Sequence, residues 1–215
     1  MMTFFQLLVF DFDGTLVDTK KDIADSVNRA LNELELRTLD RETLYTFIGK
    51  GVNHLIARSL EGTGCDDMPR AIDAFIRDYE AHLMDQTGLF PSCRETLEHF
   101  THKDNTILSN KPTLFITRIL DALDWRAPFS TILGGDSVPA KKPDPGGLLN
   151  ILQQHGVRPE ETLMVGDSLV DIETGKRAGV KTCGVTYGHA GRKSLASAQP
   201  DWIIDDLSEL KQLVG

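Results

Sequence analysis

The run Phe4-Phe5-Gln6-Leu7-Leu8-Val9-Phe10 leads without a break into Asp11-Phe12-Asp13-Gly14-Thr15. A short apolar run closed by a glycine-containing turn reads as a buried strand of a parallel sheet, covered on both faces. Two aspartates then emerge at its carboxyl end, the strand being expected over 7–11. In open α/β sheets that edge is where ligands bind. Two carboxylates one residue apart repel each other unless a cation or a shared proton separates them. The segment therefore constrains both the sheet and the chemistry at its edge.

Five more strand-like runs follow, at 106–109, 131–134, 162–166, 181–185 and 202–204. Helical periodicity alternates with the later ones, at 113–123, 146–155 and 170–178, with a last helix at 207–213. Strand–helix alternation of this kind predicts an α/β fold with a doubly wound parallel sheet. About ninety residues separate the first two strands, too many for a simple crossover. They carry helical patterns of their own: Ile23, Val27, Ala30, Leu31 and Leu34; Leu44, Phe47 and Ile48; Val52, Leu55, Ile56 and Leu60; Ile72, Phe75, Ile76, Tyr79 and Leu83. Amphipathic helices of this sort bury their apolar faces against each other. The expected organisation is a Rossmann-like core of residues 1–17 and 85–215 with a helical cap at 18–84, standing over the carboxyl edge like a lid.

Net charge is −9 over 215 residues, which argues against a nucleic-acid surface, since phosphate backbones select basic faces. The cysteines, Cys65, Cys93 and Cys183, are scattered and form no CxxC. That pattern reads as free thiols in a reducing compartment, not a disulfide frame or a zinc site. The amino terminus has no basic leader and no apolar run approaches about 18 residues, so a cytoplasmic location with no membrane partner is expected. The six histidines (54, 82, 99, 102, 155 and 189) show no metal-ligand spacing, and surface or structural roles are expected for all of them. Arg192 and Lys193 fall in a polar stretch read as a solvated loop.

The remaining strand ends carry polar motifs. Ser109-Asn110-Lys111-Pro112 follows the second strand; by itself it fits a phosphate-binding turn or a plain helix cap. Lys141-Lys142-Pro143-Asp144-Pro145 follows the third, and the prolines impose a stiff, extended approach that holds Lys142 as a point charge. Lys141 reads as solvated. Gly166-Asp167-Ser168-Leu169-Val170-Asp171 closes the fourth, where the two carboxylates suit a helix cap or hard ligation of Mg2+. Taken jointly, four strand ends gather four aspartates, a serine, an asparagine and a lysine. Unscreened carboxylates at 4 Å repel by about 4 kcal/mol per pair at an effective dielectric near 20, a conflict that a divalent metal resolves.

Asp11–Thr15, Ser109-Asn110, Lys142 and Gly166–Asp171 together resemble the motifs of the haloacid dehalogenase superfamily of aspartyl-phosphate hydrolases. Within it the phosphoglycolate phosphatase group is the nearest likeness, through Ser109–Pro112, Lys142–Pro145, Gly184–Gly188 and Gln199-Pro200-Asp201. The resemblance implies that Asp11 is the nucleophile and Asp13 the general acid/base. It implies Mg2+ held by the Asp11 carboxylate, the Asp13 carbonyl and Asp167, with Asp171 assisting through water. Ser109, Asn110 and Lys142 would grip the transferring phosphoryl oxygens, and the cap turn Gly49-Lys50-Gly51 would touch substrate. The partner implied is a small phosphorylated metabolite, with 2-phosphoglycolate first. A sugar phosphate, pyrophosphate, a phosphomutase reaction and an inactive binding protein on the same fold are the alternatives. By the same resemblance Asp13 disfavours the phosphonate-cleaving members, which use a cap lysine as a Schiff base and lack a second aspartate in the first motif, and the dehalogenating members, whose leaving group needs no proton. Two departures stand out: a polar, short stretch at 99–105, which bears on the length of the second strand, and Ser109 in place of the commoner threonine.

Overall fold

The computed structural model describes residues 4–215; residues 1–3 of the expected core segment lie outside the described residues. In chain order it contains β1 (Leu7–Phe10), β2 (Val17–Asp18), α1 (Lys20–Glu33), α2 (Arg41–Tyr45), α3 (Val52–Leu60), α4 (Met68–His82) and β3 (Gly88–Leu89). Then come α5 (Cys93–His99), β4 (Asp104–Leu108), α6 (Thr113–Ala122), β5 (Thr131–Leu133), α7 (Gly146–His155), β6 (Thr162–Gly166) and α8 (Leu169–Ala178). The chain closes with β7 (Lys181–Val185), α9 (Gly191–Ser197), β8 (Trp202–Ile204) and α10 (Leu210–Leu213).

Six strands form one parallel sheet in the order β5-β4-β1-β6-β7-β8. The connections run outward from β1 through β4 to β5, then jump back across β1 to β6 and outward again. β1 is therefore central, and the reversal of strand order opens a crevice at the carboxyl ends of β1, β4 and β6. All four residues of β1 are buried. Its side chains alternate as a pleated strand requires: Leu8 and Phe10 pack in the larger core, Leu7 and Val9 against Leu148, Ile151, Leu152 and Met164. This explains why the strand reads as a continuous apolar run.

The helices α1–α4 lie between β2 and β3, which pair antiparallel, Val17 opposite Leu89 and Asp18 opposite Gly88. The chain thus leaves and re-enters the sheet layer through a two-stranded ribbon. Ile23, Val27, Ala30 and Leu31 of α1 are buried with Ala71, Ala74, Phe75 and Tyr79 of α4. The Asp22 carboxylate is buried at the start of α1 and accepts hydrogen bonds from the main-chain N–H groups of Gln86 (2.9 Å) and Thr87 (2.9 Å) and from the Thr87 hydroxyl (2.8 Å). One side chain so fastens the outgoing helix to the returning chain.

Four differences from the sequence expectations have local causes. The ribbon strands are two residues each, too short to show a period. The helix α5 is seven residues long, with three of them buried, and carries little periodic signal. The helix α9 occupies much of the stretch expected as loop; Arg192 sits on its outer surface and pairs with Asp205 at 2.7 Å. The closing helix is split, Leu207–Glu209 being a 3₁₀ turn before α10. The polar stretch at 99–105 does not shorten β4, which begins at Asp104. Among the described residues no helix is long and apolar enough to cross a membrane.

Replacing Asp22 by alanine leaves three donors at the root of the helical insertion without their shared acceptor. We expect a loss of about 2–4 kcal/mol of stability and a fall in Tm on the order of 10 °C, read by thermal denaturation. A change within about 0.5 kcal/mol would show that the insertion is held by apolar packing alone.

Candidate active site

Asp11 follows β1 directly, and its main-chain N–H still donates to the Val165 carbonyl (2.9 Å), so the sheet itself sets its position. Its Oδ1 accepts from the Phe12 N–H (2.7 Å) and lies 2.9 Å from Lys142 Nζ. Its Oδ2 has no hydrogen-bond partner among the described residues. Lys142 is buried and also donates to Asp171 Oδ1 at 2.6 Å. Both oxygens of Asp171 are engaged, because Oδ2 accepts from the Ser168 N–H (3.1 Å) and hydroxyl (2.6 Å) at the start of α8. Asp171 thus closes the first turn of that helix and anchors the lysine.

Asp167 follows β6, and its Oδ2 accepts from the His189 main-chain N–H (2.6 Å) and lies 2.9 Å from His189 Nδ1. Two glycines make room for this arrangement. Gly14 has φ +84°, and a Cβ there would run into Asp167 Oδ2 and the His189 ring; a Cβ on Gly188 would run into the Asp167 side chain. Asp13 accepts from the Thr19 hydroxyl (2.6 Å) and from Lys111 Nζ (3.1 and 3.3 Å to its two oxygens). Lys111 Nζ also donates to the Tyr79 hydroxyl at 2.8 Å.

The electrostatics follow from burial and crowding. Burial, reinforced by the Asp171 charge and opposed by Lys142, pushes the Asp11 carboxyl up from 3.8 to about 7 when no metal is bound. Burial alone would depress both lysines. The Asp11 and Asp171 charges outweigh it at Lys142, the Asp13 charge and the Tyr79 hydroxyl outweigh it at Lys111, and both shift upward. Burial likewise opposes the charged form of His189, yet its hydrogen bond to Asp167 and that carboxylate's charge carry its pKa above 6.5.

Asp11, Asp167 and Asp171 bring carboxylate oxygens within 4.8 Å of one another, all buried. This donor set suits a hard divalent cation such as Mg2+. Four carboxylates, including Asp13, face two ammonium groups, Lys111 and Lys142, and the His189 ring, an excess of acidic groups that a divalent cation offsets. Asp11 Oδ2 and Asp167 Oδ1 are the oxygens without hydrogen-bond partners here, whereas those of Asp171 are occupied by Lys142 and Ser168.

A cavity of about 40 Å³ lies between the strand ends and the inserted helices. Asp11, Asp13, Ser109, Asn110, Lys111 and Tyr79 form its polar side, and Ile23, Ile48, Val52, Leu55, Phe75 and Phe115 its apolar side. Gly49 and Gly51 reach it, but Lys50 between them is exposed and does not line it. The φ values of +99° and +89° at the two glycines turn the backbone, not the lysine, toward the cavity. Asn110 also departs from expectation. Its amide donates to the carbonyls of Gly49 (3.0 Å) and Lys142 (3.0 Å), so its side-chain donors are spent bridging two loops, and its main-chain N–H is what remains for an anion. Lys111, Tyr79 and His189 are site residues that sequence reasoning did not single out. Lys111 stands in a motif that was read for its neighbours, Tyr79 in a helical stripe read as core, and His189 beside Gly188 at the end of β7.

The chain matches the model of the haloacid dehalogenase-like hydrolase family over residues 8–185. It is 37% identical over 224 residues to the phosphoglycolate phosphatase of Haemophilus influenzae, covering 100% of both chains. It is 36% identical to that of Pseudomonas putida, covering 95% of this chain and 78% of the relative. A crystal structure of a "predicted phosphoglycolate phosphatase" from Haemophilus somnus superposes with a TM-score of 0.94 at 33% identity over 99% of each chain. A haloacid dehalogenase-like hydrolase structure from Bacteroides fragilis superposes with a TM-score of 0.88 at 29% identity, covering 96% and 99%. Sheet order, motif placement and these similarities agree: the chain is an enzyme of the haloacid dehalogenase-like hydrolase family.

Proposed function

We propose that this enzyme hydrolyses a small phosphate monoester, 2-phosphoglycolate first among them, through a phosphoryl group carried on Asp11, with Mg2+ as cofactor. The observation that carries the reading is the pair of carboxylates, Asp11 and Asp13, on one wall of a single small cavity, the first with one oxygen free of hydrogen bonds. The names of the relatives support the choice of substrate. Residues 18–84 take the part of a cap, a reading supported by the wall that α1, α3 and α4 contribute to the cavity.

Asp11 and Asp167, with the Asp13 carbonyl, would hold the cation, whose charge offsets that of the phosphate dianion. A carboxylate oxygen of Asp11 attacks phosphorus in line with the ester oxygen; the P–O bond to the leaving group breaks as the bond from that Asp11 oxygen to phosphorus forms. Asp13 gives its proton to the departing alkoxide. It then takes a proton from the water that attacks phosphorus, releasing inorganic phosphate and restoring Asp11. Lys142, the Ser109 hydroxyl and the Asn110 main-chain N–H would donate to the equatorial oxygens as these gain charge, and fixed donors of that kind need no reorganisation during the reaction. Asp171 acts on Lys142, keeping the ammonium oriented. A cytoplasmic, reducing setting is supported by the free thiols of Cys65, Cys93 and Cys183.

Asp11→Asn is expected to lower turnover by at least about 10⁴-fold and to abolish acid-stable labelling by a phosphorylated substrate. Labelling that survives in this variant would place the covalent step elsewhere.

Metal and pH act together on stability. The Asp11 carboxyl titrates at about 7 in the folded, metal-free chain and near 3.8 when unfolded. Between those values the folded state binds the extra proton, so the contribution of Asp11 to metal-free stability falls as pH rises from about 4 to 7. Mg2+ removes the charge conflict. We expect it to raise Tm more at pH 7.5 than at pH 5, while EDTA silences turnover. A Tm gain independent of pH would detach the metal from Asp11.

A kcat/KM panel over 2-phosphoglycolate, hexose phosphates, nucleoside monophosphates and pyrophosphate should place 2-phosphoglycolate first by at least about tenfold. Another compound in first place would replace the named substrate and leave the hydrolytic class standing.

A further inference from the structure

The mechanism above leaves one buried cation of the cavity without a task. Lys111 lines the cavity together with Asp11 and Asp13, and its side chain is 4% exposed. A lone lysine is rarely buried so far without a reason. Its Nζ is fixed from two sides, by the Asp13 carboxylate at 3.1 and 3.3 Å and by the Tyr79 hydroxyl at 2.8 Å, with the Tyr79 ring centroid 4.7 Å away. Tyr79 is itself immobilised, stacked on Phe75 (5.5 Å) and edge-on to Phe115 (5.0 Å). An ammonium carries three protons, and a phenol that accepts from it keeps its own proton to give. The Tyr79 hydroxyl has no acceptor among the described residues. Two adjacent donors, Lys111 Nζ and Tyr79 Oη, therefore stand at the wall of a cavity whose other inserted-helix residues, Ile23, Val52, Leu55 and Phe75, are apolar.

The other cations near the site are committed or outside. Lys142 is held between Asp11 and Asp171. Lys50 is exposed, and Lys141 lies beside Gly51 without lining the cavity. Position sets a second limit. Lys111 Nζ lies 3.1 Å from the carboxylate of Asp13, the residue assigned to protonate the leaving oxygen, so an anion held by Lys111 stands only a few atoms from that oxygen. A leaving group that is short and ends in an anion satisfies both limits.

We propose that Lys111, with the Tyr79 hydroxyl beside it, is the specificity site that receives the carboxylate of a short carboxyalkyl phosphate. The inference rests on the phosphomonoesterase reading and adds to it the group that selects the leaving group. Its site joins the two parts of the chain, since Lys111 belongs to the strand edge and Tyr79 to α4 of the insertion. Carboxylate binding then draws the inserted helix and the sheet edge onto one ligand.

The test compares two substrates of similar size, 2-phosphoglycolate and 2-hydroxyethyl phosphate, whose leaving group carries no charge, on the purified Mg2+-loaded enzyme. Wild type should prefer 2-phosphoglycolate. In Lys111→Met the ratio of the two kcat/KM values should shrink by about 10–100-fold, chiefly through KM for 2-phosphoglycolate. Tyr79→Phe, a milder change that keeps the ring packing, should shrink it several-fold and carries the test if Lys111→Met does not fold. Equal losses on both substrates would overturn the proposal, because a residue that only positions Asp13 slows both alike. A wild-type enzyme that hydrolyses both without preference would also overturn it while leaving the phosphatase intact. Release of phosphate from neither substrate would overturn the proposal, and release from none of the wider panel of monoesters would also remove the phosphomonoesterase reading on which it stands.

Discussion

The rest of the site depends on Lys142 lying between Asp11 and Asp171. Three carboxylates are buried at one edge of the sheet, and each would resist ionisation there unless paired. Lys142 answers that demand with two contacts under 3 Å. Such a buried cluster is a weak source of net stability, because desolvation offsets much of its attraction. Its value lies in direction: the lysine fixes which oxygen of Asp11 is occupied and which is left free. Asp171 is in turn held by the first turn of α8, so the orientation of the Asp11 carboxylate traces back to a helix start. Burial, reinforced by the neighbouring Asp171 charge, shifts Asp11 upward when no cation is present, and perturbed groups of this kind concentrate at working sites.

A second consequence is the division of labour between sheet edge and insertion. The loops following β1 and β4 supply most of the polar side of the cavity, and α1, α3 and α4 most of its apolar side. Asn110 ties the two together by bridging the Gly49 carbonyl of the insertion and the Lys142 carbonyl of the core. A fold arranged this way can keep its phosphoryl chemistry while its selectivity changes.

Much of this was legible in the sequence where a signal is local. The six sheet strands and the helices at 113, 146 and 170 show as apolar runs or long amphipathic periods, and the structure keeps them within a residue or two, apart from the earlier start of β4. The motif aspartates, Ser109 and Lys142 stand at strand ends, so their convergence follows from topology. Short elements were not legible: β2, β3, α5 and α9 owe their conformation to tertiary contacts. Nor were roles set across long sequence separations. Lys111 meets Asp13 across 98 residues and Tyr79 across 32, and nothing near Lys111 in the chain announces either partner. Lys50 shows the converse, a charge in a glycine turn that suggests a ligand contact while the glycines turn the backbone inward instead.

The overall charge of −9 sharpens the problem that these cations address. A phosphate dianion approaching a strongly acidic protein meets an unfavourable long-range field, screened within about 8–10 Å at physiological salt. Attraction must therefore come from groups inside that distance and shielded from water, where each charge acts through a low dielectric. Lys142 and Lys111 are both almost wholly buried, and each is paired with a carboxylate of the site, not with a surface group. Lys111 lines the cavity against the inserted helix, and Lys142 lies between Asp11 and Asp171. On the proposed assignment, a leaving group that ends in a carboxylate gives Lys111 and the Tyr79 hydroxyl an anionic acceptor beyond Asp13, whereas a neutral alcohol does not. Selectivity of this kind would need no extended pocket: it would follow from a buried ammonium and a phenol held beside the leaving group.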